Sequence, residues 1–224
     1  MCGRYTLSAT PARINSQFSV TIDPDWEPSY NVAPGTAVLM VRAGDDNAAR
    51  VAEPAYWGFT PSWFKSGSKA PRPINARSEG VSGKPMFRSA FARHRCILPA
   101  DGFYEWKKLD GGKQPWLIRQ RDGGVFGFAG IYEAANETTG NRPSCAILTT
   151  EANTLMRPIH ARMPVILAPE DYAGWLDPTQ TQTSGLEKLL CPYQPDDLVA
   201  TPVSTRVNNV RNNDAELLRP AKEA

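Results

Sequence analysis

The chain is poor in the residues that metal and redox chemistry require. Its 224 residues include only two histidines, His94 and His160, and four cysteines. Cys2, Cys96, Cys145 and Cys191 lie far apart and form no Cys-x-x-Cys pair, so no metal site is expected. An excess of one charge is lacking too. With 25 Lys plus Arg against 23 Asp plus Glu the formal charge is only +2, so local clusters, not overall electrostatics, must select any polyanionic partner. No long apolar run and no signal-like segment is present, which gives the expectation of a soluble, cytoplasmic protein with reduced thiols and no membrane contact. The Asn136-Glu137-Thr138 sequon is then accidental. No Walker or Rossmann glycine loop follows a strand pattern, so a nucleotide-cofactor fold is not supported. Internal repeats and low-complexity segments are absent as well.

Proline, by contrast, is abundant. Twenty prolines in this length, nearly twice the usual share of about 5%, exclude long helices and favour short strands joined by shaped loops. Thr10 followed by Pro11 predicts a helix running to about Phe18, and a second is expected over Pro85 to His94 with Met86, Phe87, Ala90 and Phe91 inward. Asp110-Gly111-Gly112-Lys113 and Asp122-Gly123-Gly124 are turn signals around a strand at Trp116 to Arg119. With a following strand at Val125 to Tyr132, they predict an antiparallel meander. Further strands are expected at Tyr30 to Ala33, Val38 to Val41, Arg95 to Leu98, Cys145 to Thr149, Val165 to Leu167 and Leu198 to Pro202. Short helices fit Pro169 to Leu176 and Ser184 to Leu190. The pattern is not a βαβ repeat. It predicts an α+β protein: one domain over residues 1–210 with a strongly curved, barrel-like, mostly antiparallel sheet flanked by short helices, then a polar tail at 211–224.

Chemistry is concentrated first at the N-terminus. Removal of Met1 from MCGRYTL would leave Cys2 with an amine and a thiol on adjacent carbons, a pair able to trap an aldehyde as an imine and close it to a five-membered thiazolidine. The same pair could instead attack an acyl carbon, or Cys2 could simply pack beneath a first strand. Three further segments place polar groups beside strand-forming or apolar ones. In Asn75-Ala76-Arg77-Ser78-Glu79, Asn75 can orient an oxygen or amine and Arg77 can grip a phosphate, or the segment is a solvated loop. In CILPADGFYEW, Glu105 stands between Tyr104 and Trp106, where desolvation would raise its pKa and suit it to proton transfer; otherwise it is an exposed strand residue. In IHARMP, His160 stands beside Arg162, a second candidate phosphate ligand, whereas His94 among Arg88, Arg93 and Arg95 reads as basic surface. The run Trp57 to Phe64, with Lys65 and Lys69 behind it, interleaves aromatics with cations as single-stranded nucleic acid binding requires. Trp57 and Phe59 are accounted for equally well as core, which leaves Trp63 or Phe64 as the exposed candidate.

With MCGRYTL, YNVAP at Tyr30 to Pro34, WGFTPSW, NARSE, RCILPADGFYEW and IHARMPVIL all present in order over about residues 2–210, the chain resembles the SOS response-associated peptidase (SRAP) family. That resemblance implies a monomer that recognises abasic sites in single-stranded DNA and joins itself to them through Cys2, with no metal or organic cofactor. Cys2 then matches the crosslinking residue, Asn75 a residue lining the sugar pocket, Glu105 an acid/base group able to assist slow reversal, and His160 its partner. Arg77, Arg162, Arg4 and Thr149 match DNA contacts, and the loop from Trp63 to Lys69 looks like a wedge beside the lesion. The alternatives are a cysteine peptidase acting on Met1 or other proteins, an N-terminal nucleophile amidohydrolase, whose further glycine-rich and arginine motifs are missing here, and a module that holds single-stranded DNA without reaction.

Overall fold

A computed structural model of the chain describes residues 2–45, 49–65, 68–194 and 196–221. Two sheets organise it. In the larger, β3 (Ala37–Ala43) pairs antiparallel with β4 (Arg50–Trp57) and β6 (Arg95–Ala100). β6 pairs with β9 (Phe126–Asn136), β9 with β10 (Arg142–Glu151), and β10 returns, in parallel, to β4. These five pairings close a ring, so the expected barrel-like sheet is present and only its β4–β10 seam is parallel. β5 (Asn75–Arg77), β11 (Arg162–Pro164) and β12 (Ile166–Leu167) add to its margins.

The second sheet has the order β13-β8-β7-β1-β2, where β1 is Tyr5–Leu7, β2 Ser29–Val32, β7 Gly102–Leu109, β8 Gly112–Gln120 and β13 Leu198–Pro202. Asp110 and Gly111 make the β7–β8 hairpin turn, with Leu109 opposite Gly112. The Asp122-Gly123-Gly124 turn does something else. β8 leaves it in the second sheet and β9 enters the barrel, so the expected meander across this turn is not formed. Burial explains the switch: Phe126 to Ile131 are buried on both faces, which the outer strand of a meander would not be. Gly130 lets β9 lie close to β6, since a β-carbon there would overlap Leu98 and Cys96.

Short helices cover the barrel. α1 (Pro11–Phe18) spans the expected residues and buries Ile14 and Phe18, whose ring stacks on Tyr172 at 5.4 Å. The Thr10 carbonyl accepts from the Arg13 and Ile14 amides, but its side chain caps nothing. α2 is shorter than expected, Arg88–Arg93, with Ala90 and Phe91 inward; α3 is Tyr172–Leu176 and α4 Thr183–Glu187. No helix among the described residues is long and apolar enough to cross a membrane. The segment beyond residue 210 differs from the expected tail. Through residue 221 it is packed: Leu217 is fully buried, Asn213 accepts from the Tyr30 amide at 2.7 Å, and Pro220 bridges Val203. Residues 222–224 of that expected tail lie outside the described residues.

Candidate functional site

β1 lies between β2 and β7, so the N-terminal segment enters the middle of a sheet rather than its rim. Tyr5 pairs with Phe103, and the Tyr104 amide donates to the Arg4 carbonyl at 2.9 Å. Continuing that antiparallel register sets Glu105 beside the start of the chain. Asn75, the first residue of β5, approaches from the barrel and donates from Nδ2 to the Cys2 carbonyl at 2.8 Å. Its Oδ1 is buried and meets no partner among the described residues. β5 was legible in the sequence only as a loop, because three residues give no periodicity; it is held as a strand by the parallel pairing of Asn75 with Ile147 and Arg77 with Thr149.

Cys2 is fully buried, and burial pushes its thiol well above the usual range, with the charge of Glu105 adding to the effect. Glu105 is only 2% exposed. Burial raises its carboxyl above the usual value, while His160 pulls in the opposite direction. Glu105 thus interacts electrostatically with both Cys2 and His160, although the three come from distant segments. His160 precedes β11. Its amide donates to the Met156 carbonyl at 2.9 Å, and its Nδ1 lies 3.0 Å from the Arg162 amide and 3.2 Å from the Arg162 carbonyl, so the backbone of Arg162 fixes the ring. Glu105 and His160 line one cleft of about 560 Å³, together with Trp106, Lys107, Arg157 and Ile159.

The expected DNA contacts divide. Arg77 is exposed, and Trp63 is 64% exposed, edge-on to a buried Phe64 at 4.7 Å. Ser66 and Gly67 of the expected wedge loop lie outside the described residues, as does Met1. Arg4 faces inward: Nη1 donates to Asn31 Oδ1 and the Val207 carbonyl, each at 2.8 Å, and the guanidinium sits 5.9 Å from the Trp106 ring centroid. Thr149 is fully buried beneath Arg162, which donates to its carbonyl at 2.5 Å. Thr149 is therefore shut off from solvent, whereas Arg4 is half-buried with its Nη1 occupied. Arg162 itself holds Glu79 in a two-pronged ion pair, Nη1 to Oε1 and Nη2 to Oε2, the second at 2.9 Å. Glu79 went unread in the NARSE motif, where only its spacing from Arg77 could have drawn notice; its pairing with Arg162 is a tertiary fact. Glu79's carboxyl is lowered by that hydrogen bond.

Comparison with known proteins agrees with this architecture. Residues 1–210 match the family described as SOS response associated peptidase (SRAP). The abasic site processing protein YoqW of Bacillus subtilis is 43% identical over 97% of this chain and 99% of its own length. The abasic site processing protein YedK of Escherichia coli is 33% identical over 98% and 100%, and the chicken protein HMCES, also named an abasic site processing protein, is 31% identical over 98% and 78%. Among solved structures, a protein from Bacteroides thetaiotaomicron superposes with a TM-score of 0.87 at 26% identity, over 99% of this chain and 100% of that one.

Proposed function

The chain belongs to the SOS response associated peptidase (SRAP) family, and from that premise we propose that it recognises abasic sites in single-stranded DNA and processes them by joining its own N-terminus to the lesion. The observation that carries this reading is the convergence on one spot of Cys2, the Asn75 amide bonded to its carbonyl, and the buried carboxylate of Glu105 with His160 nearby. A barrel of this kind has no structural need for a carboxylate buried there.

The residues suggest an order of steps. With Met1 removed, the Cys2 amine adds to the aldehyde carbon of the ring-opened sugar, and the resulting hydroxyl leaves as water on taking a proton from His160 or Glu105. The thiol sulfur then adds to the iminium carbon, and its proton passes to the Glu105 carboxylate, giving a thiazolidine. Burial holds the Cys2 thiol in its protonated form, so a base at hand is needed at this step. Because amine and thiol share one residue, closure is intramolecular, where effective molarities reach about 10⁵ M or more. Running the same proton transfers backward is slow Glu105-assisted reversal. Arg77 and Trp63 are the exposed groups that suit a phosphate and a displaced base, while Arg162 fixes His160 through its backbone. Arg4 and Thr149 act from inside, as supports. The protein would work as a cytoplasmic monomer.

Incubation with a single-stranded oligonucleotide bearing one abasic site, followed by a denaturing gel, tests this directly. A heat-stable shifted band is expected, lost in Cys2→Ala and, in Cys2→Ser, recovered only after borohydride reduction. An intact-mass measurement that found Met1 retained in a protein still forming the durable band would sink the mechanism.

A further inference from the structure

The cleft that holds Glu105 and His160 continues along the β7–β8 hairpin, where Lys107, Lys108 and Lys113 line it, and along the approach to His160, where Arg157 does. Lys108 and Lys113 are directly opposite each other across the hairpin. Like charges at such a pair destabilise a sheet, and local rules broken without compensation gather at functional sites. Compensation is missing here: none of these four cations makes an ion pair among the described residues, and Asp110 at the turn between them makes none either. Lys107 lies 5.9 Å from the Trp116 ring centroid, so an aromatic is interleaved with the cations. On the other side of the site the situation is reversed. Arg162 is neutralised by the paired oxygens of Glu79, which occupy the fork a phosphate would need.

We propose that the β7–β8 hairpin, through Lys107, Lys108 and Lys113 with Arg157 beside them, is a binding track for the phosphates of the DNA strand flanking the lesion, and that it supplies more of the electrostatic grip than Arg162 does. This rests on the reading of the protein as a single-stranded DNA binder, and it names a surface that neither the motifs nor the resemblance pointed to. A chain of nearly balanced total charge must hold a polyanion through local clusters, and this strip is such a cluster, without carboxylate partners among the described residues.

The test measures binding of an unmodified fluorescent oligothymidylate to the full chain carrying Cys2→Ala, by anisotropy between about 50 and 200 mM salt. Each phosphate neutralised on a single strand contributes about 0.7 to the slope of log K against log salt. The triple substitution K107Q/K108Q/K113Q is expected to lower the slope by about 2 and Arg162→Ala by less, with K107R/K108R/K113R keeping the parent slope. An unchanged slope in the Gln variant, an equal loss in the Arg variant, or a larger loss from Arg162→Ala than from the Gln variant would overturn the proposal. The parent protein reports separately on the underlying reading. If it forms the denaturation-resistant adduct while the Gln variant keeps the parent slope, the track is wrong and the reading stands; if the parent neither binds nor reacts, the reading itself fails.

Discussion

Glu105 is the residue on which the proposed chemistry turns, and its burial makes a prediction independent of DNA. Desolvation penalises the anion, so the folded protein keeps this proton to higher pH than the unfolded chain, whose carboxyl titrates near about 4.3. Stability contributed at this site is therefore present below that value and declines as pH rises through the folded pKa. Glu105→Gln removes the penalty. The variant is expected to melt at a higher temperature than the parent at pH about 8, with the two converging near about pH 4. A lower melting temperature at the alkaline end would mean the carboxylate is stabilised in place, and adduct reversal unaffected by the change would remove Glu105 from the mechanism. Asn75→Ala tests the other support. Losing the 2.8 Å bond to the Cys2 carbonyl should cost about 1 kcal/mol and slow adduct formation more than it weakens DNA binding, measured as a rate against a Kd. At this scale the sequence served well where a residue's neighbours determine its surroundings. Glu105 between Tyr104 and Trp106 is buried as its flanks suggest, and Trp63 is exposed. It could not show the intramolecular partners of Arg4 and Arg162, because Asn31, Val207 and Glu79 are remote in the chain.

Among the elements, the ones that carry periodicity or a proline start were legible. α1 begins at Pro11 and ends at Phe18 as the pattern predicts, and β13 is Leu198–Pro202. β4 and β5 were not legible, because Pro54 and Glu53 interrupt one and the other is too short, and both depend on pairing with β3 or β10. Arg95 shows how such elements are fastened. Though it read as part of a basic surface, it is buried and donates to the carbonyls of Phe91 and Ala92 in α2, Trp175 in α3, and Asp177 just beyond, at 3.0, 2.6 and 2.7 Å for the first three. One guanidinium thus caps two short helices against β6. Arg95→Met leaves these carbonyls without donors and is expected to cost about 3 kcal/mol in urea unfolding. A loss below about 1 kcal/mol would mean water replaces the side chain.

For the whole molecule, the barrel and the second sheet share one core, since β6 passes directly into β7 and the buried cluster runs from Cys2 to Leu198 without a break. Urea unfolding followed by tryptophan fluorescence and by far-UV circular dichroism is expected to give one coincident transition, and separate midpoints would reveal two units. The C-terminal segment packs in a second, smaller cluster on the second sheet, separate from that core. Leu217 packs with Tyr104, Leu117, Val203 and Val207, so Leu217→Ala should lower stability by about 2 kcal/mol or more.

What the chain determined by itself was local: proline content that forbids long helices, turns at Asp110-Gly111, the alternation that makes strands, and a cysteine at position 2. These follow from backbone sterics and covalent chemistry, which act between neighbours. Only the tertiary structure decided that β8 and β9 part into different sheets, that Cys2 is buried beside Glu105, that Glu79 occupies Arg162, and that three hairpin lysines open onto the same cleft as His160. Those outcomes depend on which surfaces meet once apolar area is withdrawn from water, and that contest is settled between segments far apart in the chain.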